Sequence, residues 1–177
     1  MCEEQNEREE QIVVMAFYVS AIVALLSTMQ VIATRKPIHG LLYLVVSLLS
    51  VAMIFFAVGA PFAGALEIIV YAGAIMVLFV FAVMMLNLDE KGLKEEQAWT
   101  ALSVWIGPSV LTAVLLSQLL YSMVSGDLPA AGLHGVDAKA VGIALYGPYL
   151  LCVELASVLL LAALVAAYHL GRADEKE

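Results

Sequence analysis

Two carboxylates lie inside long uncharged stretches of this chain, Glu67 and Glu154. An acid near the middle of a membrane helix costs about 2.5–3.5 kcal/mol on insertion scales, so such groups usually face a bundle interior or water. Glu67 falls about five residues into its apolar run. At 1.5 Å per residue that is roughly 8 Å deep, and Glu154 lies at a similar depth, about six residues past Pro148. Two readings stand side by side for both acids. Either they belong to a proton or water path, or they hydrogen-bond a neighbouring helix and only fix packing.

The run around Glu67 is FAGALEIIVYAGAIMVLFVFAVMMLNL (62–88). Tyr71 follows Glu67 by four positions, which places both on one helical face. Ala72-Gly73-Ala74 forms a small patch that lets another helix approach closely. Gly73 weakens a regular helix locally by about 1 kcal/mol relative to alanine. Close packing of small residues explains the patch, and taken alone the residues favour that reading. A π-bulge is the alternative, because such bulges cluster at functional sites. Met76, Phe79, Phe81, Met84 and Met85 read as lipid-facing or packing residues, and His39 and His169 as interfacial ones; His134 falls in a loop.

The elements that must hold these residues are membrane spans. Of the 177 residues 63% are hydrophobic and only 14% charged, with a mean hydropathy of +0.98. A soluble chain carries about 25% charged residues, so this one cannot cover itself with polar groups. A crossing needs about 20 apolar residues. Gln11 to Thr34 is one such stretch, ending at Arg35-Lys36; Pro37 to Leu88 is long enough for two, with the break at Gly59-Ala60-Pro61. A polar loop follows at Asn87 to Glu96, then an uncharged run from Gln97 to Gly126 in which Pro108 sits in the first turns or kinks the helix. A loop at Ser125 to Ala138 leads to a last run ending at Gly171, in which Gly147-Pro148 marks the first turn.

The expected fold is therefore an all-α membrane protein with five transmembrane helices, at about 12–33, 39–58, 62–86, 102–124 and 146–169. An acidic extension (1–11) precedes the membrane domain (12–172), and a short tail (173–177) follows. With the N-terminus outside and the C-terminus cytoplasmic, Arg35, Lys36, Lys91, Lys94, Arg172 and Lys176 lie inside, leaving only Arg8 and Lys139 outside. The excess of inner cations supports that orientation.

Several classes are excluded or disfavoured. The net charge of −8 argues against a nucleic-acid partner, which calls for a basic patch. Glu3, Glu4, Glu7, Glu9 and Glu10 crowd the start, unlike a secretory signal with its basic lead. Cys2 and Cys152 lie in different environments, so neither a disulfide framework nor a metal or iron–sulfur site is expected from them. The three histidines are scattered without metal-ligand spacing. No glycine-rich nucleotide loop, CxxC or nucleophile elbow occurs. No redox centre or cofactor is expected on this chain. With no internal repeat and about five helices, it is expected to pack laterally against other membrane subunits.

The stretch ALEIIVYAGAIMVLFVFAVMMLNL (65–88) strongly resembles the third helix of the subunit J family of bacterial proton-translocating NADH–quinone oxidoreductase, respiratory complex I, whose mitochondrial counterpart is NADH dehydrogenase subunit 6. The likeness continues through PIHGLLYLVVSLLS (37–50), VWIGPSVL (104–111) and AKAVGIALYGPYLLCVELASVLLLAALVAAYHLGR (138–172), and covers most of residues 15–172. The resemblance implies a five-helix subunit of the proton-pumping arm in the bacterial inner membrane, without a redox centre. Its neighbours would be subunits A, H and K and the antiporter-like subunits. FMN, iron–sulfur clusters and quinone would belong to other chains of the complex.

The resemblance also reverses the reading of helix 3 and favours a π-bulge at Tyr71–Val77. In the family this bulge is held to switch to regular winding and back, rotating the residues after it, here Met76 to Phe79. One extra residue turns later side chains by about 100°. Val77 and Leu78 would then block water in one state and leave the path in the other. Met1 to Val14 departs from the family pattern, which begins near Met15. Two other readings remain: a J-like subunit of a multi-subunit cation/proton antiporter or membrane hydrogenase, and a purely structural scaffold subunit. Neighbouring reading frames for flavin- and nucleotide-binding subunits would separate the first reading from the antiporter one.

Overall fold

The computed structural model describes residues 2–34, 37–86, 102–124 and 136–171, and in these the backbone is helical apart from short turns. Helix α1 runs Cys2–Ala33, α2 Pro37–Ala57 and α3 Pro61–Leu66; a π-helical segment at Glu67–Ile75 leads into α4, Met76–Leu86. Helix α5 is Leu102–Val124, α6 Ala138–Tyr146 and α7 Leu150–Gly171. The basic pair Arg35-Lys36, the loop at 87–96, His134 and the tail after Gly171 lie outside the described residues.

Four stretches are long and apolar enough to cross a membrane: Gln11–Ala33, Pro37–Ala57, Pro61–Met85 and Leu150–Gly171. A fifth apolar helix is shorter among the described residues, Trp105–Tyr121. The first helix continues at its N-terminal end past what hydropathy marks. Its backbone coils from Cys2, ten residues before Ile12, because Glu and Gln are good helix formers and acids suit the positive N-terminal end of the helix dipole.

The chain divides into two units, Met1–Gly135 and Val136–Glu177. In the first, α2 is the central element and packs against α1, α3, the π-helical segment, α4 and α5, while α1 also touches α5. Val23, Val46 and Leu115 form the buried centre, one from each of α1, α2 and α5, with Val19, Leu49, Met53 and Leu111 around them. Lipid is as apolar as these side chains, so close approach and hydrogen bonds must hold the helices together. Small residues supply the approach: Ser20, Ser27, Ser50 and Ala52 are wholly buried. Hydroxyls supply the bonds, with Thr28 Oγ1 and Ser47 Oγ 2.9 Å apart across α1 and α2. Ser50 Oγ instead donates to Val46 O of its own helix at 2.7 Å.

The turn between α2 and α3 is built by its sequence. The amide of Gly59 donates to Phe56 O (3.2 Å) and that of Ala60 to Phe55 O (2.9 Å), the paired bonds of a Schellman cap. That cap needs a left-handed residue, and Gly59 supplies it at φ 79°. Pro61 then occupies the first turn of α3, where its missing N–H costs nothing.

In the second unit α6 and α7 pack on each other. Here Gly147-Pro148 does not form the first turn of one long helix. It breaks the run into α6 and α7. Pro148 has no amide to donate and disfavours helical backbone at the residue before it, and Gly147 leaves the helix at φ −109°, ψ −107°. A Cβ at Gly147 would lie 2.8 Å from Ile143 O. Pro108, by contrast, lies buried inside α5 without interrupting it.

Candidate functional site

The winding changes register along the third long helix. At its start the amide of Glu67 donates to Ala63 O and Gly64 O, the spacing of regular α and 3₁₀ turns. At its end the amide of Met76 donates to Tyr71 O, five positions back. Between them the nine residues EIIVYAGAI are π-wound. The widened turn begins at Glu67, four residues earlier than the Tyr71–Val77 placement read from the sequence, and stops before Val77.

Two features of the sequence allow this. Gly73 sits where a Cβ would lie 3.1 Å from Ile68 O, the carbonyl five residues back, so a side chain there would press on the wide turn. Below the segment, α3 is held firmly. Gly64 is buried against α2, where a Cβ would stand 3.0 Å from Ala52 O and 3.1 Å from the Phe56 ring. None of the nine π-wound residues is buried within this chain.

The residues singled out by type and spacing distribute as follows. Glu67 opens the π segment and is half-buried. Tyr71 is 52% exposed and Gly73 is exposed. Met76, the first residue beyond, turns inward at 4% exposure, while the next two, Val77 at 64% and Leu78 at 69%, face away from the bundle. Five of the six candidates therefore lie on or just after the π segment in the first unit. Glu154 lies on α7 in the second unit, exposed, and Ser157 Oγ donates to its backbone carbonyl at 2.7 Å. Among the described residues no three His, Cys, Asp or Glu side chains gather as metal ligands would, and Cys152 is a free, exposed thiol.

Sequence reading passed over Gln118. Its Nε2 donates to Ala16 O at 2.8 Å and to Ser20 Oγ at 3.1 Å, tying α5 to α1 across about a hundred residues of chain. An uncharged amide in an apolar helix was the available signal.

The arrangement can do mechanical rather than covalent chemistry. A π turn holds one residue more than an α turn. Returning it to α winding, with α3 clamped below by Gly64, would swing Met76, Val77 and Leu78 about the helix axis by about 100°.

Comparison with known proteins places these residues in context. The family model for NADH-ubiquinone/plastoquinone oxidoreductase chain 6 matches residues 27–170. A protein of Pseudomonas aeruginosa, NADH-quinone oxidoreductase subunit J, is 62% identical over 163 residues, spanning 92% of this chain and 98% of its own. The subunit J of Escherichia coli K12 is 53% identical over 159 residues, 90% of this chain and 86% of its own. That of Buchnera aphidicola from Schizaphis graminum is 47% identical over 156 residues, 88% and 96%.

Proposed function

The chain belongs to the NADH-ubiquinone/plastoquinone oxidoreductase chain 6 family, and from that premise we propose that it helps couple quinone reduction to proton translocation through a winding switch at Glu67–Ile75. It is a multi-pass membrane subunit of NADH–quinone oxidoreductase, and the chemistry of electron transfer belongs to other chains. FMN, iron–sulfur clusters and quinone sit in those chains. Subunits A, H and K and the antiporter-like subunits are its neighbours. It lies in the bacterial inner membrane with five crossings, α5 being one of them, the N-terminus outside and the C-terminus in the cytoplasm.

The observation that carries the reading is the π winding itself, over EIIVYAGAI at Glu67–Ile75. In one state Val77 and Leu78 form an apolar stop to water. In the other they turn aside, and a hydrogen-bonded water chain runs past Glu67 and Tyr71. The two windings must differ by only a few kcal/mol for quinone chemistry elsewhere to bias them. Within this chain none of the π-wound residues is buried, so rewinding breaks little of the chain's own packing. A proton- or water-path role is proposed for Glu154 of α7 as well.

The test is Gly73→Val and Tyr71→Phe in the intact complex. Both assemble and keep NADH oxidation with a water-soluble electron acceptor, but lose quinone-dependent proton pumping in proteoliposomes severalfold. Normal pumping by the assembled variants would return the chain to the role of scaffold.

A further inference from the structure

The third long helix has two buried positions beside its wide turn, Gly64 just before it and Met76 immediately after it. Every residue between them, 65 to 75, is at least partly exposed. We infer that Met76 is the residue that holds the π winding against α2, and that Ile75 takes its place there when the helix rewinds. This rests on the winding switch proposed above and names the contact that sets its balance.

The argument is one of angle. An α-helix turns about 100° per residue. Met76 stands twelve residues after Gly64. In unbroken α winding the two would point about 120° apart, so a helix with Gly64 against Ala52 would aim Met76 away from α2. The register moves by one residue in between, since the amide of Glu67 reaches back to Ala63 O and that of Met76 to Tyr71 O. Twelve residues then turn the helix as about eleven α steps do, and the two positions come within about 20° of each other. Met76 is accordingly 4% exposed, while Ile75 stands at 50% and Val77 at 64%. This burial lies within the chain itself, and neighbouring subunits can only add to it.

The surface of α2 matches. Returning from the Gly59 turn, the third helix packs on α2 through α3, the π-wound segment and α4 in succession. Leu41 lies eleven residues before Ala52. It is therefore on the same face of α2 to within about 20°, and about 17 Å back along it. Eleven α steps carry the third helix about the same distance from Gly64. Leu41 is buried, so α2 presents an apolar side chain at the level where Met76 turns in.

Rewinding to α removes the extra residue and brings Ile75 to the eleventh step. The contact is then filled by a side chain stiff at χ1 in place of an unbranched one that adapts to irregular gaps. The two windings exchange one apolar side chain for another at a single place on α2, and that exchange sets their ratio.

The test images the intact complex by electron cryo-microscopy, at rest and during turnover with NADH and a quinone, and sorts particles by the winding of residues 67–75. Met76→Ala is expected to lower the share of π-wound particles severalfold. Ile75→Ala shortens a side chain that is half exposed in the π winding. It is expected to raise that share, and it carries the test should Met76→Ala fail to assemble. Met84→Ala removes the same side chain from an exposed position further along and should leave the share unchanged. Where both windings occur but neither Met76→Ala nor Ile75→Ala moves their ratio, the inference is overturned and the switch stands. An equal shift with Met84→Ala, or π-wound particles with Met76 turned away from α2, also overturns it. A single winding in the unsubstituted complex, at rest and during turnover alike, overturns the switch itself and this inference with it.

Discussion

Gly64 of α3 lies against Ala52 of α2 with no room for a side chain: a Cβ there would stand 3.0 Å from the Ala52 carbonyl oxygen. The contact lies three residues before the π-wound turn. It fixes one end of the third helix, so a change of winding is passed to Met76 and beyond rather than back to the Gly59–Pro61 turn. Backbone on one side and the Phe56 ring on the other leave little freedom to yield.

Gly64→Val is therefore expected to destabilise the first unit by about 1–3 kcal/mol, the usual cost of overpacking. The midpoint of thermal disassembly of the detergent-solubilised complex should fall accordingly. Gly64→Ala should fall less. If Gly64→Val melts as the unsubstituted complex does, the α2–α3 contact is not tight.

A different contact joins Tyr43 and Gly107, with a side chain rather than backbone facing the glycine. The Tyr43 hydroxyl occupies the place where a Cβ on Gly107 would go. Gly107→Ala should displace the Tyr43 hydroxyl, the far end of a flexible side chain, and lower the amount of assembled complex modestly. Tyr43→Phe should be nearly neutral by itself and should partly restore Gly107→Ala, since it removes the atom in direct conflict. Quantitative blotting of native gels reads both. Failure of the double substitution to recover would mean that α2 and α5 are set apart by something other than this pair.

Gln118 ties α5 to α1, and Gln118→Leu leaves Ala16 O and Ser20 Oγ without that donor. Hydrogen bonds between membrane helices are worth about 0.6 kcal/mol on average and at most about 1–2 kcal/mol. A loss of stability in that range is expected. In a double-substitution cycle with Ser20→Ala, the two losses should add to more than the double variant shows. Strict additivity would mean that the pair contributes nothing together.

Glu67→Gln keeps the size and most hydrogen-bonding ability of the side chain but removes its proton exchange. It is expected to lower the number of protons pumped per electron while NADH oxidation with a water-soluble acceptor is unchanged. Glu154→Gln, on an exposed stretch of α7, should have the smaller effect. Pumping stoichiometry in proteoliposomes decides, and an unchanged value for Glu67→Gln assigns that carboxylate to packing alone.

Much of this protein was legible in its residues. The membrane character and the break at Gly59-Ala60-Pro61 follow from local quantities. These are transfer energy summed along a run, the left-handed backbone of a glycine and the missing amide of a proline, and none of them depends on distant partners. Glu67, Tyr71 and Gly73 stood out for the same reason, since their spacing on one helix is a property of that helix. The residues of VYAGAI taken alone, however, favoured close packing, and only the family resemblance favoured a π-bulge there.

Tertiary structure decided the rest. Only the fold starts the wide turn at Glu67 instead of Tyr71. Only the fold turns Met76 inward between exposed neighbours. Gln118 gained its meaning from Ala16 and Ser20, about a hundred residues away, and no local pattern encodes that pairing. The split at Gly147-Pro148 lies between the two cases: the sequence marks an interruption, but whether a proline opens a helix or divides it depends on the backbone before it, here Gly147 at φ −109°, ψ −107°.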